Sequence, residues 1–405
     1  MTMRISTAQI YDRGVAGIEQ QQTTLSRTQQ QIASGKRIQT PSDDPVGAAQ
    51  AIGVTQAKDR VAQYSANIDA AKEALAQNDS VLSQIGDVLQ SLHTLAIQGA
   101  STALNDTDRA SLAADAQSQL QQLLGLVNSQ DGDGAYLFSG FASRTQPFVT
   151  GAGGAIVYNG DQGQRTLDVS GARSVPVSYS GSNAFERIRT GNGSFTATAG
   201  SANTGTGVVS LGSVINSALL PGHTYSVQFN VSGGVTTYDV VDLSLSTTVS
   251  SGNAYSSGGT ITVAGMQVAV SGAPANGDNF TLAPSRAQSI FTTVQNLVAT
   301  LGTDTTVAGG NARLQNGLNA SLANLDQALD HILGVRADAG ATLRELDTLA
   351  SGNEDQNLQY DKTLSRLQDL DYNQALSDFA RQQVSLEAAQ KSFAKVTSLS
   401  LFDYL

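Results

Sequence analysis

The chain has no cysteine and no tryptophan among its 405 residues. Without thiols there is no disulfide scaffold, no thiolate metal site and no cysteine nucleophile. Basic residues are in deficit: Lys and Arg total 23 against 34 acidic residues, and the formal net charge is -11. Electrostatic capture of nucleic acid or of an anionic membrane surface is therefore unfavourable, and neither nucleic-acid binding nor membrane insertion is expected. Long apolar runs are missing too, so no segment is expected to span a bilayer. The opening Met1-Thr2-Met3-Arg4-Ile5 passes into polar Ser6-Thr7-Ala8-Gln9, without the apolar stretch of a secretory signal. The expectation is a protein that stays in the cytoplasm or leaves it without a cleaved signal.

Catalytic furniture is equally thin. The histidines are His93, His223 and His331, and no H-E-x-x-H pattern can be built from them. His93, beside Leu92 on a helical seam, reads as a packing or hydrogen-bonding residue. The run Asp131-Gly132-Asp133-Gly134 supplies half of a calcium loop, lacks the closing Glu, and reads as a turn. Gly151-Ala152-Gly153-Gly154 lacks the spacing of a nucleotide loop. With no converging acid, base, nucleophile or metal set, the sequence points away from an enzyme, and no cofactor or metal is expected.

What is present is a length sufficient for two or three domains, 40 glycines, and much Gln, Ser, Thr, Ala and Leu. Two helical arms flank a middle of different character. Near the start, Tyr11, Ile18, Leu25 and Ile32 recur every seven residues, with Val15, Gln22 and Gln29 four places after the first three. Near the end, Tyr372, Phe379, Leu386 and Phe393 recur every seven, followed at the same offset by Leu376, Gln383 and Gln390. These are heptad seams, half of them polar. The glutamine row has two readings, contacts that set register between helices or solvated faces; its coincidence with the apolar row favours the first. One large apolar side chain per two turns returns about 1.5–3 kcal/mol when buried, less than it costs to order seven residues of backbone. The terminal segments are thus expected to need neighbours in order to be helical.

Gly35 is a good helix stop. Asp44-Pro45 is a good start, because proline favours the first helical position and the residue before it avoids helical angles; Ser42 and Asp43 add acceptors. The seam Val61, Tyr64, Ile68, Ala71, Leu75, Asn78, Leu82, Ile85, Leu89, Leu92 and Ala96 then alternates threes and fours, predicting a helix roughly 80 Å long if continuous to Gln98. A third helix is predicted from Thr107 or Asp108, with Leu112, Ala116, Leu120, Leu123 and Val127 on one face. In the C-terminal arm, Ile290, Val294, Leu297 and Leu301 form a short face, and Leu322, Leu325, Leu329, Ile332, Arg336, Ala339, Leu343, Leu346 and Ala350 a long one. Arg336 reads either as an ion-pair anchor or as a side chain reaching solvent. Long helices from opposite arms are expected to pair as an elongated bundle.

Between them, about residues 145–285 turn to Gly, Ser, Thr and Val. Tyr225, Val227, Phe229 and Val231 alternate up to Gly233-Gly234, and Val235, Thr237 and Asp239 lead back, which predicts a β-hairpin. A second is predicted around Ala264-Gly265, between Ile261, Val263 and Met266, Val268, Val270. The fold class is mainly α with an inserted β domain. The expected domains are a terminal coiled coil (1–44 plus 363–405), a helical rod with a β-hairpin edge (45–190 plus 286–362) and an outer β domain (191–285).

The run Ile32-Ala33-Ser34-Gly35-Lys36-Arg37-Ile38 with Pro41-Ser42-Asp43-Asp44-Pro45 resembles the N-terminal signature of the flagellin family of axial proteins. Its two prolines, with Met3-Arg4-Ile5-Ser6-Thr7, resemble the hook-filament junction members of that family more than the filament flagellins. Tyr136-Leu137-Phe138-Ser139-Gly140 with Thr145, Pro147 and Phe148 is similar to their exit from the third helix, and Ser398-Leu399-Ser400-Leu401-Phe402 to their C-terminal end. The stretch from 191 to 285 resembles nothing further.

The resemblance implies a flagellin-like helical bundle and a structural role in the bacterial flagellum. It implies export, unfolded and without a cleaved signal, through the flagellar type III export apparatus with an export chaperone. Outside the cell the chain would form a ring with other copies of itself, between a hook-side junction protein and flagellin. Terminal helices would line the inner tube and the β insertion would face outward. The alternatives are a filament-forming flagellin, against which Pro41 and Pro45 argue, and a surface adhesin on a coiled-coil stalk.

Overall fold

The computed structural model describes residues 7–220 and 222–398. These form two compact units, one of residues up to 66 together with those from 348 onward, the other of residues 67–347. Helices are α1 (Thr7–Ser34), α2 (Pro45–Gly99), α3 (Asp106–Val127), the single turn α4 (Gly181–Phe185), α5 (Ile290–Leu301), α6 (Gly310–Gln368) and α7 (Tyr372–Ser398). Among the described residues, no helix is long and apolar enough to cross a membrane.

In the first unit α1 lies antiparallel on α7: the α7 end that carries Phe393 sits by Gly14, and Leu370 donates to the Gly35 carbonyl at 3.0 Å. The beginning of α2 pairs with the end of α6, through the Lys58–Asp361 ion pair and a bond from Asn353 to Ser65 at 3.4 Å.

In the second unit the predicted seam of α2 is the core, with Ile68, Ala71, Leu75, Leu82, Ile85, Leu89, Leu92 and Ala96 all buried. It meets Leu318, Leu325, Ala328, Ile332, Val335, Ala339 and Leu346, the buried face of α6. The predicted Leu329 is only half-buried, because Ala328 holds the inward position. Arg336 anchors an ion pair to Asp79 at 2.8 Å, one rung of an antiparallel ladder with Lys72–Asp347 at 2.7 Å and His93–Asp326 at 3.2 Å. Helix α3 starts at Asp106, earlier than expected, because Asn105 caps it. The Asn105 side chain accepts from the Asp108 amide at 2.9 Å and the Asp108 carboxylate from the Asn105 amide at 3.3 Å. The exit from α3 is pinned by Asn128, whose side chain bonds the amide and carbonyl of Phe148, each at 2.9 Å. Phe138, Phe148, Phe185 and Phe291 form one buried cluster beneath it, with Phe148–Phe291 and Phe138–Phe185 ring centroids both 5.0 Å apart.

Antiparallel hairpins β1 (Phe148–Thr150) with β2 (Ile156–Tyr158), and β3 (Thr166–Ser170) with β4 (Arg173–Pro176), follow α3. Strand β5 (Ile188–Arg189) leads into the β region through β6 (Phe195–Ala199), β7 (Val208–Val209) and β8 (Ser213–Val214). Then come β9 (Tyr225–Ser232), β10 (Val235–Asp242), β11 (Thr247–Ala254), β12 (Thr260–Val263), β13 (Met266–Ser271), β14 (Asn279–Pro284) and β15 (Ala287–Gln288), the last pairing back to β5. The hairpins predicted at Gly233-Gly234 and Ala264-Gly265 are β9–β10 and β12–β13. One sheet runs β11-β10-β9-β14-β6; a second runs β12-β13-β7, with β8 also on β13. Their apolar sides share a core of Phe195, Tyr225, Val227, Phe229, Val268, Phe280 and neighbours, in which Phe229 meets Phe280 and Tyr255 edge to face.

The loop between α5 and α6 is tied to the start of α3. Asp106 accepts the Thr305 hydroxyl at 2.6 Å, the buried Arg109 guanidinium at 2.6 Å and the Thr305 amide at 3.1 Å. These bonds, Thr305 first, hold its carboxyl below the ordinary 3.8, at about 2. A depressed folded-state value stabilises the fold above the unfolded carboxylate range and is lost as pH falls through it. Between about pH 4 and about pH 2 the chain should lose stability, and Asp106→Asn should show a shallower decline there, in urea midpoints measured across that window.

Candidate assembly interface

Helices α1 and α7 cover each other along one strip. On α1 the partly or fully buried positions are Gly14, Val15, Ile18, Gln21, Leu25, Thr28, Gln31 and Ile32; on α7 they are Ala375, Asp378, Phe379, Gln382, Leu386, Ala389 and Phe393. The Tyr11 and Phe393 rings meet at a tilt of 52° with centroids 5.1 Å apart, and the Gln21 amide donates to the Ser385 hydroxyl at 3.3 Å. The predicted large apolar residues Ile18, Leu25, Ile32, Phe379, Leu386 and Phe393 thus lie on the seam.

The predicted glutamines Gln22, Gln29, Gln383 and Gln390 are instead exposed. The physical reason is the offset. A row repeating every seven residues has two flanks, three and four places on, and the chain covers the first with Gly14, Gln21, Thr28, Ala375, Gln382 and Ala389. The flank four places on is covered only at Val15, which is partly buried; Gln22, Gln29, Leu376, Gln383 and Gln390 are exposed. Tyr11, Tyr372 and Leu376 are about half exposed, at 52%, 50% and 53%, and Val384 at 68% is more so. Sequence reasoning missed Gly14, Gln21, Thr28 and Gln382; comparing both offsets for small residues would have found them. Gln21 and Gln382 each keep a buried side-chain carbonyl oxygen without a hydrogen-bond partner.

The motif residues build the corner between α1 and α2. Gly35 ends α1 with φ 71°, its amide bonded to the Gln31 carbonyl at 2.9 Å. The next two residues run against the end of α6: Lys36 bridges Asp369, and Arg37 donates its amide to Gln368 at 2.7 Å and its guanidinium to Leu367 at 2.8 Å. Asp43 closes the turn by accepting the amides of Gln39 at 3.0 Å and Thr40 at 2.9 Å, and pairs with Arg27. Asp44 caps α2 by accepting the Gly47 amide at 2.9 Å, and meets Arg37 at 3.2 Å. Both carboxyls lie below their ordinary value. For Asp43 the chief cause is the Thr40 amide, then Gln39, with Arg27 adding to it; for Asp44 it is the Gly47 amide, with Arg37 adding to it.

Pro45 is the first residue of α2, while Pro41 and Ser42 are exposed on the turn, the latter 2.7 Å from the Thr40 hydroxyl. A groove of about 730 Å³ runs beside the corner, lined by Ala33, Ile38, Pro41, Ala48 and Ile52 among others. Leu401 and Phe402 lie outside the described residues. The three histidines all have partners: His93 on Asp326, His223 on Asp242 at 2.8 Å, and His331 on the Asn183 carbonyl at 2.9 Å. The Asp131 carboxylate is used within its turn, accepting the Asp133 and Ala135 amides at 3.1 and 2.8 Å.

Paired terminal helices, an Asp-Asp corner and an inserted β region together define a flagellin-type helical protein, and residues 5–143 match the family model for the bacterial flagellin N-terminal helical region. Likeness extends well beyond that segment. The chain is 28% identical over 403 residues, 99% of each chain, to flagellar hook-associated protein 3 of Salmonella typhimurium. The crystal structure of flagellar hook-associated protein-3 from Legionella pneumophila is similar at 36% identity and a TM-score of 0.75, covering 78% of this chain and 98% of that one. That of the flagellar junction protein FlgL from the same organism gives 35%, 0.73, 79% and 100%. This chain belongs to the flagellar hook-associated protein 3 family. Its role is structural and its place is the flagellum, which sets aside the filament-forming and adhesin alternatives.

Any side chain at position 35 must adopt the left-handed region and meet the Tyr372 hydroxyl, 2.9 Å from where a Cβ would stand. Gly35→Ala should therefore destabilise the corner by about 1–2 kcal/mol, and Gly35→Asn by less. Hydrogen exchange at the amides of Gly35, Arg37 and Leu370 reads the difference.

Proposed function

We propose that the chain is an adaptor between hook and filament, a ring of copies that joins a hook-side junction protein to flagellin through the open flanks of α1 and α7. The observation that carries this reading is the uncovered flank itself. A free-standing helical pair has no use for Tyr11, Tyr372, Leu376 and Val384 in water beside the glutamine row Gln22, Gln29, Gln383 and Gln390. A lattice of like helices gives those residues apolar cover and register partners. On this reading Gly35, Lys36, Arg37, Pro41, Ser42, Asp43, Asp44 and Pro45 aim the terminal pair.

The chain leaves the cell unfolded, without a cleaved signal, through the flagellar type III export apparatus with the help of an export chaperone. A passenger with no cysteine cannot cross-link in transit. It has no catalytic activity. Residues 1–44 with 363–405 serve as the assembling domain, 45–190 with 286–362 as the rod, and 191–285 as the outer domain, a division supported by the self-contained β core between Phe195 and Leu282.

Deleting the gene should leave hooks without filaments and flagellin in the medium, seen by electron microscopy and immunoblotting. Full-length filaments in the deletion strain would sink the reading. Supplying Gln22→Ala, Gln29→Ala, Gln383→Ala and Gln390→Ala together should restore filaments poorly, with the monomer's helix content by circular dichroism unchanged. Purified chain added to filament seeds should not grow long homopolymers. Limited proteolysis of the dilute monomer should trim about 40 residues from each end before it cuts the second unit, because the terminal pair is covered on one strip only.

A further inference from the structure

The large side chains of the α1–α7 pair leave its register open. Ile18, Leu25 and Ile32 against Phe379, Leu386 and Phe393 repeat in sevens, so sliding one helix by a heptad, about 10 Å, again sets large apolar groups against one another. Gln21 and Gln382 each occur once on their strip, but the bond across it, from Gln21 to the Ser385 hydroxyl, is long at 3.3 Å and adds little to the choice among the steps of the repeat.

Two contacts break the repeat. A Cβ at position 14 would stand 2.6 and 2.7 Å from Cδ2 and Cε2 of Phe393, so the ring occupies space that any other residue would fill. One and two heptads further along α1 stand Gln21 and Thr28, each with a side chain on the same strip. At the other end of α1 the Tyr372 hydroxyl stands 2.9 Å from where a Cβ on Gly35 would be. Tyr372 is itself fixed as the first residue of α7, since Asp371 caps that helix by accepting the amides of Asn373 and Gln374 at 3.0 and 3.1 Å. Within α1 a glycine at 14 is a poor helix former, so its contribution is the room it leaves.

We propose that Gly14 and Gly35 are sockets, and Phe393 and Tyr372 the rings they admit, which together select one register of α1 on α7. They are positioning residues: in that register the two open flanks, with their glutamine rows, form one surface for the neighbouring copy. This deepens the assembly reading and rests on it for its consequence, whereas the register is measured on the monomer.

A chain without cysteine allows a direct test. In the full-length protein, Gln21→Cys with Ser385→Cys reports the observed register, and Gln21→Cys with Asp378→Cys or Ser392→Cys reports a slide of one heptad either way. Oxidation should close the first pair in the parent chain. Gly14→Ala, although alanine is the better helix former, should lower that closure about tenfold relative to the slid pairs, because overpacking displaces the ring. Adding Phe393→Ala to Gly14→Ala should restore it, with Tyr372 still seated. Unchanged closure in Gly14→Ala, or a loss that Phe393→Ala does not reverse, would overturn the proposal. A correct register in a chain that plays no part at the hook would refute the junction reading and leave the sockets standing.

Discussion

Each terminal helix carries one apolar row with two flanks, and the chain by itself covers little more than one of them. Ile18, Leu25, Phe379 and Leu386 sit on the ridge between the flanks, half-buried rather than buried. A half-covered leucine or phenylalanine returns only part of the roughly 1.5–3 kcal/mol that full burial provides, while the backbone entropy of holding the helix is paid in full. The second unit has no such deficit, with eight positions of the α2 seam from Ile68 to Ala96 and a β core of its own fully enclosed. One chain thus combines a self-sufficient body with ends that remain incomplete, and the proposed completion by further copies would use the same apolar row that pairs the ends.

The corner between α1 and α2 makes that incompleteness usable. Half-covered helices on a loose hinge would present their open flank in many directions. Gly35, Arg37, Asp43 and Asp44 leave little such freedom, because nearly every polar group of the turn is spent on a neighbour: two amides on Asp43, one on Asp44, two carbonyls at the end of α6 on Arg37. These carboxylates are partly buried but their partners Arg27 and Arg37 are about half exposed, so the ion pairs are worth little in water. Direction comes instead from their bonds to backbone amides, which have fixed geometry and survive screening by salt.

How much of this the sequence discloses depends on how local the determinant is. The long α2 seam was legible because three-and-four alternation over eleven positions admits one face only, and the β9–β10 and β12–β13 hairpins were legible because alternation runs up to a two-residue turn on both sides. Other features depend on partners distant in sequence. Strand β14 inserts between β9 and β6, a pairing that no local pattern announces. Arg336 resolves into an ion pair because Asp79 stands opposite on a helix from the other arm. The terminal seam misled for a different reason: Gln21-Gln22 and Gln382-Gln383 are doublets, so both flanks offer the same residue type and composition cannot say which is inward. What separates them is small side chains, Gly14, Ala375 and Ala389, and those mark close approach only when read against a partner helix.

The polar seam positions then take on a physical meaning. Gln21 and Gln382 bury a carbonyl oxygen apiece with no partner, a cost that leucine at the same places would remove. A leucine seam would also bind more strongly and in any register, since apolar contact is non-directional. The pair as built is weak by that comparison, which leaves the choice of register to the proposed fit of Phe393 and Tyr372 at Gly14 and Gly35. For a part assembled among many similar helices, selectivity is the scarcer property: tight pairing in the wrong register would offset the open flank of one helix from that of the other, and no single surface would be left to receive the next copy.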